Sequence, residues 1–239
     1  MSQKNSQEQV IVALDTPSLD LARKLVKSLD GLIHFYKIGF ELFTAHGWKA
    51  VEMVKKRGSR VFLDLKLHDI PNTVSHAAAV IAEYDIDMFN LHALGGLEMM
   101  QATRKIVEER IRDAARRPKI LGVTVLTSHS PKNLKEDLGI ARSLEEQVLH
   151  LARMVKQAGL QGVVSSPREV ALLRKEYPSD FLIVTPGIRA AGQALGDQKR
   201  TFSAREALDA GSDYIVVGRP ITASNDPAKA AKDLLATLA

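Results

Sequence analysis

The chain has 239 residues and a net charge of +5, and its hydrophobic and charged fractions, 45% and 26%, are those of an ordinary globular protein. It contains no cysteine, which excludes disulfides, thiolate metal ligands and a cysteine nucleophile. No apolar run is long enough to span a membrane, and the first residues lack the apolar segment of a signal peptide. We therefore expect a cytoplasmic protein without a membrane partner, with a flexible tail at residues 1–7.

The excess of basic residues favours an anionic partner. The densest basic run lies between Arg104 and Lys119, but acidic residues interrupt it and it contains no aromatic side chain. Surfaces that bind nucleic acid usually interleave stacking residues with their cations. We interpret this run as a solvated helix face, and we expect a small phosphorylated ligand rather than nucleic acid.

Short apolar runs alternate with helical patterns eight times along the chain. Such runs are typical of buried parallel strands, and glycine or proline marks many of the turns between them. The predicted strands are 9–15, 34–39, 61–68, 88–93, 119–127, 161–166, 181–187 and 214–219. The predicted helices are 19–29, 40–57, 73–83 (capped by Asn72 or Thr73), 95–115, 143–157, 167–177, 203–210 and 226–238, with a polar loop at 192–199.

Eight β-α units in a chain of this length predict an α/β fold, a single (β/α)₈ TIM barrel that forms one domain over residues 1–239. A doubly wound open sheet is the alternative, and the number of units makes it less favourable. In a (β/α)₈ barrel the active site lies at the carboxyl ends of the strands. Polar residues stand at these predicted ends: Asp15, Lys37, Asp64, Lys66, Asn90, His92, Thr127, Ser165, Arg189 and Arg219.

The third predicted strand carries charges that strands usually avoid. Asp64 and Lys66 are two residues apart, so an alternating strand places both on one face, and Asp69 follows where the strand ends. Burying such charges is costly unless they are paired. A structural ion pair would meet that condition, but three charges at a strand end favour a functional site, because such arrays hold perturbed pKa values.

Two other polar positions inside strands each allow two interpretations. Lys37 could bridge to Asp64 on the neighbouring strand, or it could extend along the barrel to reach solvent at the rim. Asn90 and His92 share one face of the fourth strand but lack the spacing of metal ligands, so we favour a packed, hydrogen-bonded His92 and expect no metal site.

Two segments late in the chain are candidates for phosphate binding and closure. Gly218 would let a phosphate approach backbone N–H groups and Arg219 would add a bidentate cation, although a strand-ending turn with a surface arginine is the alternative. The segment from residue 185 to 200 is long and polar enough to be a lid, with Gln198 able to reach inward, or simply a mobile surface loop.

Together these motifs resemble the orotidine 5′-phosphate decarboxylase family over residues 10–235. The family motif D-x-K-x-x-D-I-P-x-T is present at residues 64–73. The flanking matches are A-L-D at 13–15, K-I-G at 37–39, N-L-H-A at 90–93, V-L-T-S at 125–128, P-G-I-R at 186–189, Gln198, and V-V-G-R-P-I at 216–221. The resemblance implies a carbon-carbon lyase that converts orotidine 5′-monophosphate to UMP and CO₂ in pyrimidine biosynthesis, with neither a metal nor an organic cofactor.

The resemblance also implies catalytic roles. Lys66 would deliver a proton to the carbon that loses CO₂, and Asp64 would flank it together with Asp69 of the partner subunit. Lys37 would orient Asp64 and, with Asp15, hold the ribose hydroxyls. The implied assembly is a homodimer in which Asp69, Ile70 and Thr73 complete the partner's site.

The remaining implied contacts surround the two ends of the nucleotide. Thr127 and Ser128 would lie near the pyrimidine, with Ser130 as a further possibility. The phosphate would be bound by Arg189, Gly218 and Arg219, with Gln198 closing over both ends of the ligand, and Pro186 would be a further substrate-binding residue.

Three other functions compete with this interpretation. Mg²⁺-dependent 3-keto-gulonate-6-phosphate decarboxylases and hexulose-phosphate synthases share the barrel and the D-x-K-x-x-D motif, but they carry an acidic metal ligand where this chain has Lys37, whose charge would repel a cation. A non-catalytic barrel that binds phosphorylated ligands would not need the intact Asp-Lys-Asp array. A nucleic-acid-binding protein would lose affinity steeply with salt.

Overall fold

The computed structural model describes residues 6–188 and 202–238. Eight strands follow one another in chain order as a closed barrel, which confirms the predicted (β/α)₈ architecture and excludes the open sheet. Over the described part of the chain, no helix has the length and apolar character needed to cross a membrane. The strands are β1 Val10–Ala13, β2 Phe35–Gly39, β3 Arg60–Leu67, β4 Met88–His92, β5 Lys119–Val123, β6 Gly162–Val164, β7 Leu182–Thr185 and β8 Tyr214–Val217.

A short helix precedes β1, and one or two helices follow each strand. In chain order they are α1 Ser6–Gln9, α2 Leu19–Ser28, α3 Phe40–His46, α4 Trp48–Lys55, α5 Pro71–Glu83, α6 Leu97–Arg110, α7 Pro131–Glu136, α8 Leu144–Gln157, α9 Val170–Glu176, α10 Ala204–Asp209, α11 Arg219–Thr222 and α12 Pro227–Ala236. Short 3₁₀ turns occur at Ala93–Gly95 and Ala114–Arg116.

Burial on both faces explains why the strands are almost continuously apolar. Every residue of β1, β2 and β4 is buried, as expected for parallel strands covered by helices. The largest fully buried side chains are aromatic and stand on or next to strands: Phe35, Tyr36, Phe62, Phe89 and Phe181. The polar residues within these strands are therefore exceptions that need partners.

The chain divides into two compact units. The first comprises residues up to 64 and from 185 onward, and in it β1 pairs with β2 (Val12 opposite Tyr36) and with β8 (Ile11 opposite Val216), while β2 pairs with β3. The second comprises residues 65–184, in which β4, β5, β6 and β7 pair successively, with Asn90 opposite Leu121 in β5.

Side-chain caps fix several of the predicted helix starts. Ser18 accepts the Leu21 N–H at the start of α2. Ser143 begins α8 with a capping box to Glu146, and Ser203 begins α10 with the same arrangement. Each cap accepts a hydrogen bond from an N–H group that lacks a partner within the helix. Because capping residues are recognisable in the sequence, these helix starts could be predicted.

Glycine and proline account for two predictions that were wrong. The helix predicted over 40–57 is two helices, because Gly47 adopts a left-handed conformation (φ 55°) between α3 and α4. Asn72 and Thr73 do not cap α5, since Pro71 is its first residue and Ile70 is the N-cap. The missing N–H of proline makes it well suited to that first position.

Other boundaries also differ from prediction. The helix expected over 95–115 is α6, which ends at Arg110, and the helix expected from 167 starts at Val170. Strand β5 ends at Val123, so Thr127 lies beyond it, and α7 was not predicted although Ser130 and Asn133 form a capping box at its start. Of the expected tail, residues 6 and 7 belong to α1, and residues 1–5 lie outside the described part.

The basic run of residues 104–119 is only partly a solvated helix face. Arg104 bonds to Glu108 in α6, and Arg117 donates to the carbonyl oxygens of Ile111 and Arg112. These side chains line a cavity of about 160 Å³ at the amino end of β5, together with Lys119 and Gln161. Part of the charge in this run is therefore used to tie the end of α6 to the following loop.

Candidate functional site

Three charged side chains meet in the first unit. The Lys37 ammonium donates a 2.8 Å hydrogen bond to Oδ1 of Asp15 and lies 3.4 Å from Oδ2 of Asp64. The side chains of Lys37 and Asp64 are only 11% and 12% exposed, whereas that of Asp15 is 57% exposed. The predicted bridge from Lys37 to Asp64 is thus confirmed, and solvent reaches the cluster from the side of Asp15.

The two carboxylates keep Lys37 charged. Burial by itself lowers the pKa of this lysine, but the negative charges of Asp64 and Asp15 and their hydrogen bonds outweigh it and raise the pKa above its ordinary value of 10.5. Lys37 is therefore a permanent cation over the physiological pH range. Its charge compensates Asp64, which would otherwise be costly to bury.

Strand register and one glycine create the space for this cluster. Lys37 in β2 is opposite Ala13 in β1, and Gly39 is opposite Asp64 in β3. A Cβ atom at Gly39 would lie 2.8 Å from the Lys37 ammonium nitrogen. The absence of a side chain at Gly39 therefore allows Lys37 to pass towards Asp15.

Lys66 lies near the end of β3 with an unusual backbone conformation. Its φ is 43°, and the other non-glycine residue with positive φ among those described is Asp85. Such a conformation costs an L-residue about 1–3 kcal/mol. The Lys66 N–H donates a 2.8 Å hydrogen bond to the side-chain oxygen of Asn90 in β4. The regular alternation assumed for this strand does not continue through Lys66.

Two imidazole rings stack near Lys66 in the second unit. The rings of His68 and His92 are 5.4 Å apart at an interplanar angle of 21°, and Nδ1 of His92 accepts the Leu94 N–H. Burial, followed by the charges of His68, His129 and Lys66, lowers the pKa of His92 to about 4. His92 is thus packed and hydrogen-bonded as predicted, and it is neutral at pH 7.

The segment after β3 presents its side chains to solvent. Asp69 is exposed and its Oδ1 accepts the N–H of Ile70, whose exposed fraction is 65%. Thr73 is also exposed, in the first turn of α5. These three side chains are directed outward from their own chain, and Ile70 is a large apolar residue that lacks cover there.

The loop after β5 carries three exposed hydroxyl side chains, one of which caps a helix. Thr127 and Ser128 are exposed. Ser130 caps α7, accepting the Asn133 N–H and donating to the Asn133 side chain at 2.6 Å. All three hydroxyls are exposed, and Ser130 has a structural role at the start of α7.

Buried hydroxyls that sequence reasoning did not pair lie at the strand ends. Thr124 donates to the Val164 carbonyl oxygen and is 3.3 Å from the Ser165 hydroxyl. In the first unit Thr185 and Ser212 are 2.7 Å apart. In the sequence, each of these hydroxyls is marked only by an isolated threonine or serine at the end of an apolar run. Such a run does not show which other hydroxyl will be its hydrogen-bond partner.

The candidate phosphate residues fall at the end of β8. Gly218 is the N-cap of α11, and Arg219 is exposed as the first residue of that helix rather than part of the strand. A Cβ at Gly218 would be 3.8 Å from Oδ2 of Asp15, so this glycine lies next to the Lys37 cluster. Pro186 follows β7 and is half-buried, while Arg189 and Gln198 lie outside the described residues.

The structure thus brings the predicted residues together in two groups. One contains Asp15, Lys37, Asp64 and Gly218, and the other contains Lys66, Asn90 and His92, with His68, which was not predicted, stacked on His92. Within residues 6–188 and 202–238, no three side chains of the types that hold metal ions, histidine, aspartate or glutamate, come together as a ligand set. Asn90 was predicted as a polar strand residue, but its bond to Lys66 was not.

A closed parallel barrel with charged residues at its strand ends is the architecture of (β/α)₈-barrel enzymes. Residues 8–234 match the family model described as Orotidine 5'-phosphate decarboxylase / HUMPS family. The chain belongs to this family.

Several orotidine 5'-phosphate decarboxylases are similar to this chain over nearly its whole length. The chain is 47% identical to orotidine 5'-phosphate decarboxylase of Moorella thermoacetica, covering 100% of this chain and 95% of that protein. It is 48% identical to that of Geobacter metallireducens, covering 98% of each. The crystal structure of orotidine 5'-phosphate decarboxylase from Lactobacillus acidophilus superposes with a TM-score of 0.83 at 39% identity, covering 94% of this chain and 96% of that one.

Proposed function

We propose that this protein decarboxylates orotidine 5′-monophosphate to UMP and CO₂ in pyrimidine biosynthesis. Family membership and relatives of that name at 47% and 48% identity support the assignment. The observation that carries it is the Lys37 ammonium held between Asp15 and Asp64 beside an intact Asp64-x-Lys66 pair on β3. This charge pattern suits an anionic nucleotide and a reaction that needs a nearby proton.

The proposed chemistry addresses a carbanion on a ring carbon that has no attached electron sink. As the bond to the carboxylate breaks, CO₂ leaves and the electron pair remains on the ring carbon. The Lys66 ammonium stabilises that charge and donates a proton to form the new C–H bond, and neutral Lys66 then takes a proton from solvent. Asp64 and the partner subunit's Asp69 flank Lys66.

Binding of the remote parts of the substrate would supply energy for ordering the site. We assign Asp15 and Lys37 to the ribose hydroxyls, and Thr127 and Ser128 to the pyrimidine. Both hydroxyl side chains are exposed, which leaves them accessible to a ligand. The proposed phosphate ligands are Arg189, Gly218 and Arg219, with Pro186 as a further substrate contact and Gln198 closing over the substrate.

The short length of helix α11 indicates which groups would bind the phosphate. It has only four residues, so it adds little helix dipole, and the contribution at this end comes from backbone N–H groups and the Arg219 guanidinium. Gly218 has no side chain to obstruct that approach. The exposed position of Arg219 is compatible with binding a charged group that arrives from solvent.

We further propose a homodimer in which Asp69, Ile70 and Thr73 complete the partner's site. The 65% exposure of Ile70 supports an interface at this segment, because a large apolar side chain there is stabilised by cover from another subunit. Leu94, which is 41% exposed within the 3₁₀ turn after β4, is a second apolar residue of the same unit that an interface could cover. We place the enzyme in the cytoplasm, where pyrimidine precursors are made.

Lys37 also argues against the metal-dependent branch of the family. A cation bound at this position would need an acidic ligand on β2, whereas β2 carries the Lys37 ammonium, which already pairs with the two neighbouring carboxylates. Coulomb repulsion from a buried lysine disfavours a divalent ion at the same place. We therefore expect activity without Mg²⁺.

The assignment is tested by following loss of orotidine 5′-monophosphate by ultraviolet absorbance in the presence of EDTA. The wild-type protein should turn over the substrate, and Lys66→Ala should lose at least about 10³-fold in kcat because the proton donor is gone. Lys56→Ala is the matched control, since that lysine is 78% exposed and pairs only loosely with Glu52 at 3.8 Å. No turnover by folded wild-type protein would overturn the proposal, and activity that requires Mg²⁺ would favour the sugar-phosphate branch.

A further inference from the structure

Asn90 is a fully buried polar residue in a strand whose other members are mostly apolar. Its exposed fraction is 0%, and its side-chain oxygen accepts the Lys66 N–H at 2.8 Å. An amide side chain placed in such a position must be hydrogen-bonded, or it destabilises the fold. This bond joins the side chain of Asn90 in β4 to the backbone of Lys66 in β3.

The backbone that Asn90 contacts is the one that needs support. Lys66 has φ 43°, a conformation that a lysine rarely adopts and that the surroundings must enforce. A hydrogen bond from the Lys66 N–H fixes the orientation of the peptide plane that precedes the Cα atom. That orientation in turn sets the direction in which the lysine side chain leaves the strand.

We propose that Asn90 is a positioning residue that holds Lys66 in its left-handed conformation and thereby aims the ammonium at the reacting carbon. The inference rests on the proposed function for the role of Lys66 in catalysis. Asn90 acts through Lys66 and does not itself contact the substrate in this proposal. It differs from a residue that merely fills a buried space, because its removal would change the direction of a side chain as well as stability.

The neighbouring residue on the same face supports this placement. His92 is two residues further along β4, and the positive charge of Lys66 is one of the causes that lower its pKa. The face of β4 that carries Asn90 and His92 therefore lies towards Lys66. Asn90 holds the backbone of that lysine, and neutral His92 adds no competing positive charge.

The decisive variants are Asn90→Ala and Asn90→Asp. Alanine removes the acceptor, so the Lys66 backbone should relax to negative φ, and kcat should fall by about 10²-fold with KM changed less than about threefold, because a misaimed group loses rate more than binding. Aspartate keeps an acceptor of the same shape. It should retain the left-handed backbone and a kcat well above that of Asn90→Ala.

A nuclear magnetic resonance readout separates this role from general destabilisation. The ¹³Cα and ¹³Cβ shifts and the three-bond HN–Hα coupling of Lys66 report its φ, and amide exchange reports its hydrogen bond. Thr103→Val is the control, because Thr103 is also 0% exposed and loses a bond to the Met99 carbonyl oxygen elsewhere, in α6. It should lower stability without changing kcat or the Lys66 shifts.

The outcomes distinguish this inference from the proposed function. Wild-type turnover of orotidine 5′-monophosphate tests the function, whereas the Lys66 backbone shifts test the role of Asn90 even if no turnover is found. Unchanged kcat in Asn90→Ala, or a left-handed Lys66 that persists without the acceptor, would overturn the inference. Should Asn90→Ala fail to fold, Asn90→Asp decides: relaxed Lys66 shifts in that variant would also overturn it.

Discussion

At the scale of single residues, the candidate site depends on a buried pair, Lys37 and Asp64, and on the more exposed Asp15 beside it. The Lys37 ammonium lies 2.8 Å from Asp15 and 3.4 Å from Asp64, and it stays protonated because both carboxylates favour its charged form. Its raised pKa means that this stabilisation is fully present below the ordinary lysine pKa of 10.5 and is lost only as the pH rises through the higher folded-state value. The charge of Lys37 is therefore constant under physiological conditions.

His92 should make the fold sensitive to acid. Its pKa is about 4 in the folded protein and near 6.5 when unfolded, so as the pH falls below 6.5 the unfolded state binds a proton that the folded state does not. Stability is then lost between these two pH values, by roughly 3 kcal/mol. Urea unfolding of the wild type and of His92→Gln at pH 7 and pH 4 should show a smaller acid loss in the variant.

The control for this experiment is His150→Gln, because His150 is only half-buried at the surface of α8, where burial followed by the charges of two arginines lowers its pKa. It should leave the acid loss almost unchanged. Equal acid loss in the wild type and in His92→Gln would show that other groups are responsible.

Sequence predicted one contact of the candidate site and missed another. The charge bridge between Lys37 and Asp64 followed from strand order and alternation, both of which the barrel preserves. The positive φ of Lys66 did not follow, because a left-handed lysine is opposed by its own local preference and is held by a residue 24 positions away. Tertiary contacts of this kind leave no periodic signal in the sequence.

At the scale of elements, the spacing between neighbouring strands is set partly by residues without side chains. Gly162 in β6 lies against β7, and a Cβ atom there would stand 2.2 Å from the Leu182 carbonyl oxygen. Backbone atoms cannot move aside as the end of a flexible side chain can. This glycine is therefore required by close approach of two strands.

Gly162→Ala should destabilise the protein by about 2–3 kcal/mol because the added methyl group forces the two strands apart. Gly139→Ala is the matched control, since nothing lies within 4 Å of its added Cβ and only its φ of 65° is unfavourable. That control should cost about 1 kcal/mol. Chemical denaturation of both variants measures the difference, and equal losses would contradict the steric explanation.

Element boundaries were predictable where a local cap determines them and not where the chain bends between helices. Ser143 and Ser203 mark helix starts through capping boxes that are visible in the sequence. The division between α3 and α4 depends on a left-handed Gly47, and the sequence around it remains helical in pattern on both sides. A glycine within a helical pattern is compatible with either outcome.

At the scale of the whole molecule, repetition made the fold predictable. Eight strand-helix units define the closed barrel even though individual boundaries are displaced by a few residues. The oligomeric state is harder to predict from sequence. The exposed Ile70 and the neighbouring Asp69 identify a surface, but they do not identify the protein that binds there. The proposed homodimer therefore needs a test that detects shared sites.

Subunit complementation provides that test. Lys66→Ala and Asp69→Ala should each be nearly inactive alone, but a mixed dimer has one site with the intact lysine of one subunit and the intact aspartate of the other. Equal mixing after reversible dissociation should restore roughly one quarter of the wild-type sites, as expected for random pairing in a two-fold dimer. Decarboxylation assays before and after mixing measure the recovery.

A mixture of Lys66→Ala with Lys66→Ala/Asp69→Ala is the control, because none of its dimers contains an intact lysine. It should remain inactive. Failure of the first mixture to recover activity, with exchange of subunits verified by mass spectrometry, would contradict a site completed by the partner.

The left-handed backbone of Lys66 also affects how the stability of this protein can be increased by substitution. Glycine or asparagine would satisfy that conformation with less strain, so a search for stabilising substitutions would select against lysine here. The same search would remove the group to which we assign proton donation. The position is thus one where thermal robustness and turnover make opposite demands, and an engineered variant that becomes more stable through it should become a poorer enzyme.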